Sequence, residues 1–252
     1  MGKLLSLGGN AKTEKNRRLT GIMYLLPYTQ NSKGINLCPK AGECKNFCLS
    51  ESGRVQMFNS IRIAREKKTE RFIADKKQFC LDLLKELGSL QRKADRLGQE
   101  IAVRLNGTSD VDWVSIIKRQ ANVDVLSEFP SLVFYDYTKI IGKVRKYADT
   151  NYRHTFSYSE DKDSMEHSRN ALSLGTPVSV VFSTKKGEAL PSDFLGYEVV
   201  DGDKADDIML DKSGGYILGL RYKPQARKKA DRERELADAI ASGFVINANK
   251  NQ

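Results

Sequence analysis

Short apolar runs of strand length alternate with helical patterns along almost the whole chain, and that order limits the fold more than any other feature. Thr20–Leu26, Ile101–Asn106, Leu132–Tyr135, His154–Tyr158, Pro177–Ser183, Tyr197–Val200 and Gly215–Tyr222 read as strands. Helical patterns separate them: Asn59–Leu97, broken near Gly88, then Asp112–Gln120, Thr138–Tyr147, Asp163–Leu174 and Gln225–Ala241, which stops at Gly243. Strands that alternate with helices pair in parallel through right-handed crossovers. The expected fold is therefore α/β, a single domain built as a partial or complete (β/α) barrel of the TIM type. A basic arm (residues 1–19) precedes it, and a C-terminal helix and tail (223–252) follow. A chain of 252 residues is long enough for such a barrel in one unit.

The strand pattern also predicts a polar interior. Ala102, Arg104 and Asn106 alternate with Ile101, Val103 and Leu105; Thr155 and Ser157 alternate with His154, Phe156 and Tyr158. Ser179, Val181 and Ser183 likewise share a face. Parallel strands covered on both sides usually read as continuous hydrophobic runs. Polar residues on one face predict a lumen for a polar ligand, with Arg104, Asn106 and Ser157 as binding candidates. The competing reading places these residues at strand ends.

Three of the four cysteines fall within eleven residues, Cys38-Pro-Lys-Ala-Gly-Glu-Cys44-Lys-Asn-Phe-Cys48, in a loop spanning residues 36–53. Glycine, proline and charge between the sulfurs argue against core packing, and a cytosolic chain keeps thiols reduced. Three thiolates form a metal site with one position open, whereas structural zinc takes four ligands, commonly in paired knuckles. Cys80 stands with Leu83, Leu84 and Leu87 at helical spacing and reads as a buried hydrophobe rather than a fourth ligand. His154 and His167 are distant in sequence, and His154 is a conceivable further ligand.

A strand, a three-cysteine loop, a long helix and a second strand resemble the opening of the radical S-adenosylmethionine enzymes. That resemblance implies a [4Fe–4S] cluster held by Cys38, Cys44 and Cys48, with Phe47 as the aromatic residue before the third cysteine and S-adenosylmethionine as cofactor. Two features depart from that superfamily: the cysteine spacing, and Asn106-Gly-Thr-Ser-Asp110 where it carries Gly-Gly-Glu. A wider likeness joins Asn36-Leu-Cys-Pro, Arg104–Trp113, Asp136-Tyr-Thr-Lys, Asp201-Gly-Asp, Ile208-Met-Leu-Asp, Gly219-Leu and Ser242-Gly-Phe-Val. These stretches resemble phage and plasmid proteins of the gene-eighty-eight type, which implies a barrel-like phage protein.

Asp110 and Asp112, Asp136, and Asp201 and Asp203 follow or end strands, where barrels keep their chemistry. Asp110, Asp136 and Asp201 are the catalytic candidates, as general bases, nucleophiles or cofactor partners. Asp is equally a helix cap, so Asp110 or Asp112 also reads as the start of the Trp113 helix. The chain carries 42 Lys and Arg against 32 Asp and Glu, a net charge of +10. Lys12, Lys15, Arg17 and Arg18, then Lys67, Lys68, Lys76 and Lys77, then Arg227, Lys228, Lys229 and Arg232 concentrate it. That balance suits a nucleic acid or nucleotide partner, or simply solvated helix faces. No run is long and apolar enough to span a bilayer, so no membrane partner is expected. No signal-type segment opens the chain, so a cytoplasmic location is expected, that of the host cell for a phage protein.

Three functions follow as expectations. The first is a radical-type iron–sulfur enzyme that modifies a nucleotide or nucleic acid. The second resembles the queuine-type transglycosylases: a base exchange with Asp110 and Asp201 as candidate carboxylates and a structural zinc for which His154 is a conceivable fourth ligand. The third is a non-enzymatic phage DNA-binding accessory protein.

Overall fold

A computed structural model describes residues 2–8, 15–51 and 57–248; Lys12, the end of the cysteine loop and the tail beyond residue 248 lie outside the described residues. Within them, nine strands form one mostly parallel sheet, with seven α-helices around it. The strands are β1 (Leu5–Leu7), β2 (Thr20–Met23), β3 (Ile101–Arg104), β4 (Leu132–Thr138), β5 (Tyr152–Ser157), β6 (Val178–Phe182), β7 (Asp193–Phe194), β8 (Tyr197–Asp201) and β9 (Ile217–Arg221). The helices are α1 (Asn59–Ala74), α2 (Lys76–Leu97), α3 (Trp113–Ala121), α4 (Val125–Glu128), α5 (Ile141–Lys146), α6 (Ser164–Ser173) and α7 (Lys229–Ala241).

The sheet order is β1-β2-β3-β4-β5-β6-β9-β8-β7. From β2 to β6 sequence neighbours are spatial neighbours, as the strand–helix alternation predicts. A closed barrel does not form. β1 pairs antiparallel with β2 at one edge and β7 antiparallel with β8 at the other, so each flank ends in a short edge strand and the sheet stays open. Short edge strands also limit unwanted pairing with other chains. The sequence pattern misses β1, β7 and α4, each too short to carry a period.

Register sorts the side chains onto two faces. Met23, Val103, Leu105, Phe134 and Tyr152 pack against Phe79, Cys80, Leu83 and Leu87 of α2 and against Trp113 and Ile117 of α3. Farther along, Phe156, Val178, Val180 and Ile217 pack with Val144 of α5 and with Ala171 and Leu172 of α6. The opposite face carries Ala102, Arg104, Tyr135, Tyr137, Thr155, Ser157, Ser179 and Leu218, placed together by the pairs Ala102↔Val133, Tyr137↔Thr155, Ser157↔Ser179 and Ser179↔Leu218. Met209, in a 3₁₀ turn over Ile208–Leu210, covers part of this polar face.

The long helical stretch breaks at Asp75, not at Gly88. Asp75 leaves helical geometry and its carboxylate accepts the Gln78 N–H at 2.8 Å, capping α2. Gly88 stays inside α2, which instead ends at Gly98 in the left-handed region (φ 60°). Cys80 is fully buried on the core stripe, as expected. Replacing its neighbour Leu83, also fully buried, with Ala costs about 2–5 kcal/mol of unfolding free energy. Chemical denaturation of Leu83→Ala beside Cys80→Ala checks this: Leu83→Ala shows the larger loss of the two.

Candidate functional site

The cysteine loop lies across the C-terminal ends of the central strands, fastened from four of their connections by one backbone amide and by side chains. The Asp110 N–H, after β3, donates to Leu37 O at 2.8 Å. Lys139 Nζ, after β4, donates to Ala41 O at 3.1 Å. Glu160 Oε1, after β5, accepts the Glu43 N–H at 2.7 Å, and Asp161 pairs with Lys40 at 3.4 Å. Gln225, after β9, donates through Nε2 to Cys48 O at 3.1 Å. Phe47 stacks on Phe244 (centroids 5.4 Å apart) and meets Tyr222 edge-on at 6.2 Å. Ligands of parallel α/β sheets gather at this end of the strands.

The three thiols are half-buried and reduced. A hydrogen bond with Cys48, followed by burial, pushes Cys44 well above its ordinary range; Lys139 opposes the shift. Burial pushes Cys38 up to about 11, with the Cys48 charge adding to it. Cys44 and Cys48 are thus in contact and Cys38 lies within their electrostatic reach, while Cys38 Sγ turns toward Thr108 O at 3.7 Å. Among the described residues, no group of three or more His, Cys, Asp or Glu side chains is arranged to hold a metal ion. The donors suit a soft metal or cluster in kind and number. Among the described residues their arrangement does not close on one point.

The candidate carboxylates do not form one constellation. Asp110 is held by Lys143 Nζ at 2.6 Å, by Thr138 Oγ1 and by the Lys139 N–H. Asp112 caps α3 through the Ser115 N–H, as its capping reading anticipates; burial alone would raise its carboxyl, yet hydrogen bonds from Tyr147, Ser115 and Lys146 hold it at about 2. Asp201 forms a two-oxygen pair with Arg221 at 2.9 and 3.0 Å, and Asp203 is bound by Arg221 and Lys223. Asp136 is nearly fully buried and accepts from Tyr152 Oη at 2.5 Å and from the Asn106 N–H and Nδ2. Burial raises its carboxyl to about 6 against the opposing pull of Arg104 and these donors.

Asn106 departs from its predicted place. β3 ends at Arg104, and Asn106 turns to the helix side, where its Oδ1 accepts from Ser109, Val111 and Trp113. Arg104 and Ser157 do lie on the polar face. Arg104 is paired there with Asp206 at 3.0 Å through both carboxylate oxygens and stacks on Tyr137 at 4.7 Å. Ser157 Oγ accepts from Ser179 Oγ at 3.2 Å. His154 packs between Tyr147 and Tyr152 on the helix side, and burial holds its imidazole neutral, lowered to about 3. Of the basic arm, Arg18 is already paired with Asp211 and Glu100.

A family model described as Gene product 88 matches residues 3–247. The chain belongs to the gene product 88 family. No curated protein and no solved structure matches it. Among the stretches that carried the resemblance to this family, Asn36–Pro39, Asp136–Lys139 and Ser242–Val245 each contribute a loop or pin at the cysteine rim: Leu37, Lys139 and Phe244. Glu160, Gln225 and Asp206 escaped the sequence reading because an isolated charged or amide residue in a connection carries no period or spacing to mark it.

Two predictions follow from this geometry. Gly42 adopts φ +52°, and a Cβ there would stand 1.9 Å from Glu160 Oε1. Gly42→Ala should therefore lower stability by at least about 1 kcal/mol and loosen the loop, read as a lower thermal midpoint and faster alkylation of Cys44. Asp136 has a folded-state pKa above its unfolded one, so its contribution is fully present below about pH 4 and is lost as pH rises through about 6. Urea unfolding of the wild type and Asp136→Asn across that window should show their stability difference shifting by about 2–3 kcal/mol against the wild type as pH rises.

Proposed function

We propose that this chain is an iron–sulfur enzyme, similar in kind to the radical S-adenosylmethionine enzymes, that modifies a nucleotide or nucleic acid. Cys38, Cys44 and Cys48 would hold the cluster. The observation that carries this reading is the placement of three thiols on one loop, fastened to the C-terminal rim of a parallel sheet. Three sulfur donors leave one coordination position for a ligand, the mark of a working site rather than a closed structural one. The bound cluster with its cofactor supplies one-electron chemistry.

The chain's own residues supply the rest. Lys139 places positive charge beside Cys44 and favours its thiolate. Gln225 and the Phe47–Phe244 stack fix the carbonyl and ring that flank Cys48. The net charge of +10 favours a polyanionic substrate. The polar face beneath the rim offers Tyr137 and Thr155, whose hydroxyls are buried without a partner.

Base exchange is the weaker reading. Its two proposed carboxylates, Asp110 and Asp201, are each neutralised by a basic side chain, and His154 is enclosed by tyrosines on the helix side. Zinc at the same thiols is the direct competitor, because it takes the same donors.

Iron and sulfide analysis of anaerobically purified protein tests the proposal. The expected result is a coloured protein whose iron is lost in Cys44→Ala and kept in Cys80→Ala. Because burial at Cys38, and the Cys48 hydrogen bond with burial at Cys44, keep these two thiols protonated, loading should release protons and tighten with rising pH. A colourless protein carrying zinc alone sinks the iron–sulfur assignment.

A further inference from the structure

A cleft of about 220 Å³ lies between the cysteine loop and the β5–α6 connection, and no thiol lines it. Its walls carry charge of both signs. Glu160 and Asp161 stand on the β5 side; Lys40 comes from the loop, Lys139 from the end of β4 and His167 from α6. Most of these charges are only partly committed. Asp161 and Lys40 share an exposed ion pair at 3.4 Å. Lys139 Nζ gives one hydrogen bond, to Ala41 O. Glu160 is the exception that calls for a ligand: Oε1 accepts the Glu43 N–H at 2.7 Å, whereas Oε2 is buried with no hydrogen-bond partner.

A buried carboxylate oxygen without a donor is costly, and a cationic N–H group is the partner that offsets the cost best. A simple anion would meet Glu160 and Asp161. A bare metal cation would meet Lys40 and Lys139 and find a single open carboxylate oxygen. A molecule bearing both charges satisfies the two walls together, and the small volume favours a compact headgroup.

We infer that this cleft binds a small zwitterion, an α-amino acid or the aminocarboxylate end of a larger molecule. The ammonium sits on Glu160 Oε2, and the carboxylate lies toward Lys139 and Lys40. No thiol lines this site, but Lys139 serves both it and the cysteine loop, so iron content is followed alongside binding.

Calorimetric titration of the full anaerobically purified chain tests it, with iron content measured on the same samples. The probes are each standard amino acid, S-adenosylmethionine, and the α-hydroxy acid and methyl ester of whichever amino acid binds most tightly. The amino acid should bind at least about tenfold more tightly than its hydroxy acid or its ester. Glu160→Gln keeps an acceptor for the Glu43 N–H but removes the charge; it should weaken the amino acid about tenfold and leave the hydroxy acid unchanged. Should Glu160→Gln not fold, Lys139→Met carries the test, weakening the amino acid and sparing the ester. Tighter binding of S-adenosylmethionine than of any free amino acid assigns the larger molecule as the source, and the reverse assigns the free amino acid. Zwitterion binding by iron-free protein would separate this site from the cluster. No binding of any probe at millimolar concentration, or equal binding of the amino acid and its hydroxy acid, overturns the inference.

Discussion

A guanidinium removed from water needs a charge beside it, and Arg104 on β3 meets that need with Asp206 from the connection between β8 and β9. Burying such a pair is close to neutral in net energy, but removing one partner leaves an uncompensated charge inside the protein. The pair therefore acts mainly by specifying an arrangement. Tyr135 Oη adds a hydrogen bond to Asp206 at 2.8 Å, and the Asp206 N–H donates to Asn16 Oδ1 at 2.9 Å. Through these contacts the N-terminal segment, the middle of the sheet and the β8–β9 connection become one polar network. That same connection brings Met209 down onto Ala102, Tyr135 and Leu218. The open sheet acquires a covered second face without closing.

The two faces divide the work. Helices seal one of them with a hydrophobic core dominated by Trp113, Phe79, Phe134 and leucines. The other keeps arginine, tyrosines and hydroxyls, and the connections beyond its strands carry the rim. Most acidic side chains at that rim are partnered by lysine or arginine, so their first effect is to hold connections in place. The cysteine loop draws on this directly: Asp110 anchors Lys143 and offers its amide to Leu37, so one residue links α5 to the approach of the first thiol.

Much of the architecture was legible from the chain. Strand and helix positions emerged because apolar periods persist wherever a segment faces the core, and the shared face of Arg104, Thr155, Ser157 and Ser179 emerged because parallel pairing preserves alternation. Sheet closure was not legible, since it depends on edge strands of two or three residues. Asn106 shows the limit at the level of a single side chain. Continuing the alternation by one step places it beside Arg104, but the strand ends first and the side chain is recruited by Trp113 and Asp136. The cysteine cluster stood out from spacing alone. What fastens it did not, because Lys139, Glu160, Gln225 and Phe244 are each unremarkable locally and gain meaning only when the fold gathers them.

The aromatic clasp of Phe47 between Tyr222 and Phe244 joins positions separated by most of the polypeptide. During synthesis the thiols are made before the rings and the glutamine that steady them. The loop is therefore held first by Asp110, Lys139 and Glu160, and the clasp around Phe47 closes only after Tyr222, Gln225 and Phe244 have been made.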